Sequence, residues 1–234
     1  MLKQPIKPAR LFSLMIVSLL LPLLVGAAID YNNPESVVYD TANDRYLVSN
    51  KGDGSIIARS PADVLSYFSQ GASSSIRGLT IMNNTLYAAG DEGVMAFDLS
   101  NGQKTSTIAI TERDFLNDIT SDVAGNLYVS DNARIYKVDP ITKTYSTVIT
   151  TDGANGLLFD EANNRLLFTD EGPVGFDGSY ISAIDMVTTN VTNLVSHTFK
   201  WLDGLTRDGD GNYYVSSWST IKYINMIKIL QVLQ

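Results

Sequence analysis

Polar and apolar positions alternate in short runs along most of this chain, and the runs recur. Five of them line up: Glu35-Ser-Val-Val-Tyr-Asp40, Arg77-Gly-Leu-Thr-Ile-Met82, Asn117-Asp-Ile-Thr-Ser-Asp122, Asn155-Gly-Leu-Leu-Phe-Asp160 and Asp203-Gly-Leu-Thr-Arg-Asp208. Each opens on a polar residue and continues with the period of two that marks a strand. Apart from the run ending at Met82, each closes on an Asp that opens a turn. A second strand follows every turn: Arg45–Asn50, Thr85–Ala89, Asn126–Asp131, Arg165–Asp170 and Asn212–Ser216. The turns between them are rich in Asn, Asp and Gly, which tolerate positive φ, so each pair reads as a hairpin.

Third strands are predicted over Ser55–Ala58, Gly93–Asp98, Arg134–Asp139 and Tyr180–Asp185. Weaker fourth strands are predicted over Thr105–Ala109, Tyr145–Ile149 and Val191–Val195. In the first repeat a short helix over Ser60–Phe68 is expected in place of a clean fourth strand. The repeats start near residues 35, 77, 117, 155 and 203, roughly 40 residues apart, which is the spacing of propeller blades. The other all-β candidate, a sandwich, does not predict one opening motif five times. The expected fold is therefore an all-β, six-bladed-type β-propeller with five recognisable blades. After Trp218 the tail supplies third and fourth strands for the fifth blade but no turn signal for a sixth.

The first 27 residues do not share this pattern. Lys3, Lys7 and Arg10 precede an apolar run from Leu11 to Val25, and Val25-Gly26-Ala27 offers small residues for cleavage. That is the layout of a secretory signal peptide, with an uncleaved membrane anchor as the alternative. On this reading residues 28–234 form one propeller domain that is secreted or periplasmic, or membrane-anchored if uncleaved. Cleavage leaves no membrane-binding segment. The chain lacks cysteine, so neither disulfides nor thiolate metal sites are available. The net charge of −8 with no basic stripe argues against a nucleic-acid partner.

In a propeller the innermost strand of each blade lines the central channel, so the five opening residues converge at one end of it. They are Glu35, Arg77, Asn117, Asn155 and Asp203. Two carboxylates and two carboxamides form a hard-oxygen set suited to Ca²⁺, Mg²⁺, Mn²⁺ or an oxygen-liganded Zn²⁺. The same residue types also serve simply to start strands and satisfy loop backbone.

The motifs around these positions resemble the regucalcin/gluconolactonase family of lactonases. Asn33-Pro-Glu-Ser-Val-Val-Tyr-Asp40 is similar to that family's opening Glu motif. Phe115-Leu-Asn-Asp118, Gly153-Ala-Asn-Gly-Leu157 and Leu202-Asp-Gly-Leu205 are similar to its three later ligand motifs. The resemblance covers about residues 33–218. It implies that Glu35, Asn117, Asn155 and Asp203 bind one divalent cation, with Ca²⁺ the leading candidate. It implies hydrolysis of a small lactone or ester, with Asp203 as the base. Arg77 is expected to hold a substrate oxygen or anion, or to form an ion pair in the channel wall with Glu35 or Asp203. The chain departs from the family at Val37 and Ala154, where Pro is usual, and in lacking a sixth blade.

Other motifs fit less well. Asp208-Gly-Asp-Gly-Asn212 imitates an EF-hand start, but Ser219 stands at the twelfth position where Glu is required, so a hairpin turn is expected. His197 is the only histidine and is expected in a loop, which excludes a histidine-dyad mechanism. Three functions follow in order: an exported metal-dependent hydrolase of lactones or related esters, a non-enzymatic propeller that binds a partner at its channel mouth, and a truncated, inactive relative of the lactonases.

Overall fold

The computed structural model of the protein describes residues 28–170, 178–197, 200–218 and 227–229. The expected signal peptide, residues 1–27, and most of the tail after Trp218 lie outside the described residues. Alternation of buried and exposed side chains produces antiparallel meanders, four of which have four strands. Blade 1 contains β1 (Pro34–Asp40), β2 (Arg45–Asn50), β3 (Ile56–Arg59) and β4 (Leu65–Ser69). Blade 2 contains β5 (Ile76–Met82), β6 (Thr85–Gly90), β7 (Gly93–Asp98) and β8 (Lys104–Ile108). Blade 3 contains β9 (Ile119–Ser121), β10 (Leu127–Asp131), β11 (Arg134–Asp139) and β12 (Thr144–Thr150). Blade 4 contains β13 (Ala154–Asp160), β14 (Arg165–Asp170), β15 (Ser179–Asp185) and β16 (Val191–His197). A fifth sheet has three described strands, β17 (Leu202–Arg207), β18 (Tyr213–Ser217) and β19 (Ile227–Ile229). Among the described residues the fold is all-β, with four blades in a propeller arrangement and a single 3₁₀ turn at Glu161–Asn163.

Two local expectations fail. Ser60–Phe68 is not helical: Leu65–Ser69 pairs with β3. Ser60, Pro61 and Asp63 instead make a tight turn, closed by Asp63 N–H donating to the Ser60 carbonyl and by a left-handed Asp63. Phe68 then reaches the core, with its ring 6.5 Å from that of Phe97. His197 is not in a loop, because its backbone ends β16 opposite Ser179.

The core lies between blades. Leu47, Ile56, Ala58 and Phe68 meet Ile76, Leu86, Met95 and Phe97 across the first interface. The next three interfaces are built the same way. Strand β10 is buried along its whole length because both faces are covered: Tyr128 faces blade 4 and Val129 faces blade 2. Among the described residues one face of blade 1 has no such cover, and Val37, Tyr39 and Tyr46 are exposed there. Tyr46 stands on that sheet face, with its ring 5.0 Å from that of Tyr39.

The turn between first and second strands is the same device throughout. One residue takes positive φ in each: Asp44, Asn83, Gly125, Asn164 and Gly211. Where an Asp ends the first strand, its carboxylate gathers the turn. Asp40 Oδ2 accepts from Asn43 Nδ2 and Arg45 Nε, and Asp160 Oδ2 accepts from Asn163 Nδ2 and Arg165 Nε, all at 2.8 Å. Asp122 accepts from Asn126 and the Tyr128 hydroxyl, and Asp208 from Asn212 and the Tyr214 hydroxyl. The Asp208–Asn212 segment is accordingly a hairpin turn.

Candidate functional site at the channel mouth

The opening residue of each inner strand is placed by an irregularity in the sheet. Register shifts fall between Pro34 and Val37, Ile76 and Leu79, Ala154 and Leu157, and Leu202 and Leu205. Each shift leaves two residues out of the ladder, the opening residue and the one after it. Such bulges re-aim a side chain that a regular strand would commit to one face. In blade 3, Asn117 and Asp118 precede β9 at the same position.

Hydroxyls on the second strands tie these bulges from blade to blade. Ser49 Oγ accepts from Ser36 N–H and donates to the Arg77 carbonyl. Ser130 Oγ accepts from Asp118 N–H at 3.0 Å and donates to the Asn155 carbonyl at 2.6 Å. Thr169 Oγ1 accepts from Gly156 N–H at 2.8 Å and donates to the Asp203 carbonyl at 2.9 Å. Blade 2 has Ala89 at the equivalent place, and there Gly78 N–H donates directly to the Asn117 carbonyl at 2.8 Å. The direct contact requires glycine, since a Cβ at residue 78 would lie 2.6 Å from Asp118 Cα.

Glu35, Asn117, Asn155 and Asp203 line one cavity of about 440 Å³, together with Asp118. Below them the wall turns apolar, with Val38, Leu79, Ile119, Leu157 and Leu205. Arg77 is not among the lining residues. Its guanidinium is buried, with Nη1 donating to the Leu116 carbonyl at 3.0 Å and Nη2 paired with Asp91 at 2.6 Å. The Phe115 ring covers it at 3.7 Å. The ion pair of Arg77 is thus with Asp91, not with Glu35 or Asp203.

The carboxyls at the mouth are crowded. Asp118 is pushed up to about 7, chiefly by burial, although its carboxylate accepts from Leu157 N–H and Ile119 N–H at 2.8 Å. Asp203 and Glu35 add repulsion. Glu35 is raised by burial against the opposing charge of Lys51, whose Nζ is 3.6 Å from Glu35 Oε1. Asp203 is also raised by burial, opposed by hydrogen bonds from Trp218 and Asn155. Trp218 Nε1 donates to Asp203 Oδ2 at 2.6 Å.

Asp118, Lys51 and Trp218 are the participants that a one-residue-per-blade reading passes over. For Asp118 a signal was present: the corresponding positions hold Ser36, Gly78, Gly156 and Gly204, so an acid there is the exception. Lys51 and Trp218 follow the second strands, where no repeated type marks them.

Among the described residues no three His, Cys, Asp or Glu side chains gather as a metal cluster. The cavity instead gathers the side-chain oxygens of Glu35, Asp203, Asn117 and Asn155, with the Asp118 carboxyl beside them, a hard-oxygen set of the kind that oxygen-seeking divalent ions take.

No family model matches this chain, and neither does any curated protein sequence. Solved structures share the fold. A chain of the nidogen/laminin complex is similar at TM-score 0.71 and 16% identity, over 85% of this chain and 77% of that one. A protein solved by a structural genomics consortium and provisionally named a gluconolactonase gives 0.66 and 18%, over 86% and 76%. A gluconolactonase from Xanthomonas campestris gives 0.68 and 14%, over 80% and 71%. At these identities the likeness shows a β-propeller fold shared with gluconolactonase structures.

Proposed function

We propose that this chain is an exported hydrolase of lactones or related esters that works with a divalent cation, in the manner of the regucalcin/gluconolactonase family. One observation carries the reading: Glu35, Asn117, Asn155 and Asp203, from four different sheets, share one cavity. Ca²⁺ fits this donor set first, with Mn²⁺, Mg²⁺ and Zn²⁺ as alternatives. The donors suit such an ion because burial raises the carboxyls there, with repulsion added at Glu35 and Asp118, and an opposite charge favours their ionised forms. When bound, the ion would polarise the ester carbonyl and acidify a water.

The chain's own residues supply the rest. Asp203 accepts the proton of the attacking water, which requires a carboxylate within hydrogen-bond reach of it. Asn155 holds that carboxylate by donating to it. The apolar lower wall, including Leu79, Leu157 and Leu205, receives the carbon skeleton of a small substrate and excludes bulk water. On this reading residues 1–27 carry the chain out of the cytoplasm.

A second reading is a propeller that binds a partner at the channel mouth without hydrolysis. It is supported by the likeness to a chain of the nidogen/laminin complex and by Lys51 and Trp218, which already engage Glu35 and Asp203. Thermal unfolding with and without Ca²⁺, Mn²⁺ or Zn²⁺ separates the two. An ion that binds only the folded state stabilises it by about 2.7 kcal/mol at a hundredfold excess over its dissociation constant. A shift abolished by Asn155→Ala, followed by lactone turnover, supports the hydrolase. No shift in a folded protein sinks it.

A further inference from the structure

Trp218 is 54% exposed, so packing covers only about half of it. Yet it is held in place. Trp218 N–H donates to the Trp201 carbonyl at 3.1 Å, and Ser217 Oγ donates to the Lys200 carbonyl at 2.9 Å. These bonds staple the end of β18 to the chain entering β17, and they bring Trp218 Nε1 to 2.6 Å from Asp203 Oδ2. An indole is a donor only, and it is neutral. It can therefore fix a carboxylate without competing with a cation for the charge. Lys51, at 3.6 Å from Glu35, is an ammonium and does compete.

Resting on the reading that Glu35, Asn117, Asn155 and Asp203 hold one divalent ion, we infer that Trp218 is the positioning residue for Asp203. Its N–H occupies one lone pair of Oδ2, while the Asn155 side chain donates to the same carboxylate. The two donors fix the plane of the carboxylate and leave its remaining lone pairs available to a cation, which Asp203 would hold in that orientation. Partners that orient a metal-binding side chain are typically worth about 10–100-fold in affinity or activity.

The test is isothermal calorimetry with Ca²⁺ on the full mature chain, comparing wild type with Trp218→Phe, Trp218→His and Asn155→Ala. Trp218→Phe keeps an aromatic ring and loses the donor, so Ca²⁺ affinity should fall by about 10–100-fold while metal-free melting is unchanged. Trp218→His restores an N–H and should recover part of that loss. The chain has two tryptophans, so Trp201→Phe leaves Trp218 as the sole tryptophan, excited selectively at the red edge of the indole band. Its emission should change with Ca²⁺ at the calorimetric midpoint. Unchanged affinity in Trp218→Phe, with binding abolished in Asn155→Ala, overturns the assignment and leaves the cation site standing. Failure of the wild type to bind Ca²⁺, Mn²⁺ or Zn²⁺ overturns both.

Discussion

Thr169 in blade 4 donates its hydroxyl to the backbone carbonyl of Asp203 in the fifth sheet, and the same oxygen accepts from Gly156 N–H. A side chain outside the cavity thereby sets the position of one inside it. Thr169→Val keeps the shape and leaves both backbone groups without a partner. It should cost about 1–3 kcal/mol by urea denaturation, and Thr169→Ser should restore most of that. Equal losses in the two variants would show that the hydroxyl is not the cause.

Gly156 lies against the same backbone. A Cβ there would stand 2.2 Å from the Asp203 carbonyl oxygen. Gly156→Ala must push β17 outward, at a cost of about 1–3 kcal/mol, and should weaken any cation held by Asp203 and Asn155 together. Gly209, with open space around it, is the control. Gly209→Ala should stay within about 0.5 kcal/mol. Matched melting temperatures in the two variants would contradict the close-approach argument.

Acid should unfold the protein through its turns. Asp208 is held down at about 2 by Asn212, burial opposing, with further help from Tyr214. Asp160 and Asp122 are raised by burial but end below their usual value, held by Asn163 and Arg165 in one case and Asn126 and Tyr128 in the other. A lowered folded value means that the unfolded chain binds protons more readily. The stabilisation is therefore present above the ordinary carboxyl range, near pH 3.8, and is lost as pH falls toward about 2. Denaturant midpoints should decline from about pH 4 to 2, where these turns lose their charge, and Asp160→Asn should flatten the decline; above that window the raised Asp118 carboxyl acts with the opposite sign.

Arg77 offers a test of wall against substrate. Its guanidinium is engaged by Asp91, the Leu116 carbonyl and the Phe115 ring. Arg77→Met keeps the stem and removes the charge. It should destabilise by about 1–3 kcal/mol while leaving Ca²⁺ affinity and KM near wild type. A raised KM with unchanged stability would assign Arg77 to the substrate instead.

Much of this was legible in the sequence because propeller strands carry two independent signals, alternation and the turn that ends it. Positive φ at Asp44, Asn83, Gly125, Asn164 and Gly211 falls within or beside the turns that composition marks. The repeat places the opening residues at one register, and four of the five line the cavity, but register alone does not foretell that Arg77 turns into the wall toward Asp91. Ser60–Phe68 misled because a Pro-containing turn and a short strand together mimic helical spacing. The exposure of Tyr46 depends on which face of blade 1 has a neighbour, which is a tertiary fact. Trp218 and Lys51 reach the mouth from second-strand ends, where side-chain direction is set by loop geometry and not by period. Asp118 was visible only as an exception to the small residues around it.

The hydroxyl bridges at Ser49, Ser130 and Thr169 couple each sheet only to its neighbours, as in a linear array of units. The four side chains at the mouth, however, are drawn from both ends of that array and from its middle. Loosening any one interface should therefore disperse the set while the remaining sheets still stand, making the mouth sensitive to every interface at once. Hydrogen exchange at Leu157 and Ile119, whose amides close on Asp118, would read that event directly, and at a lower free energy than global unfolding.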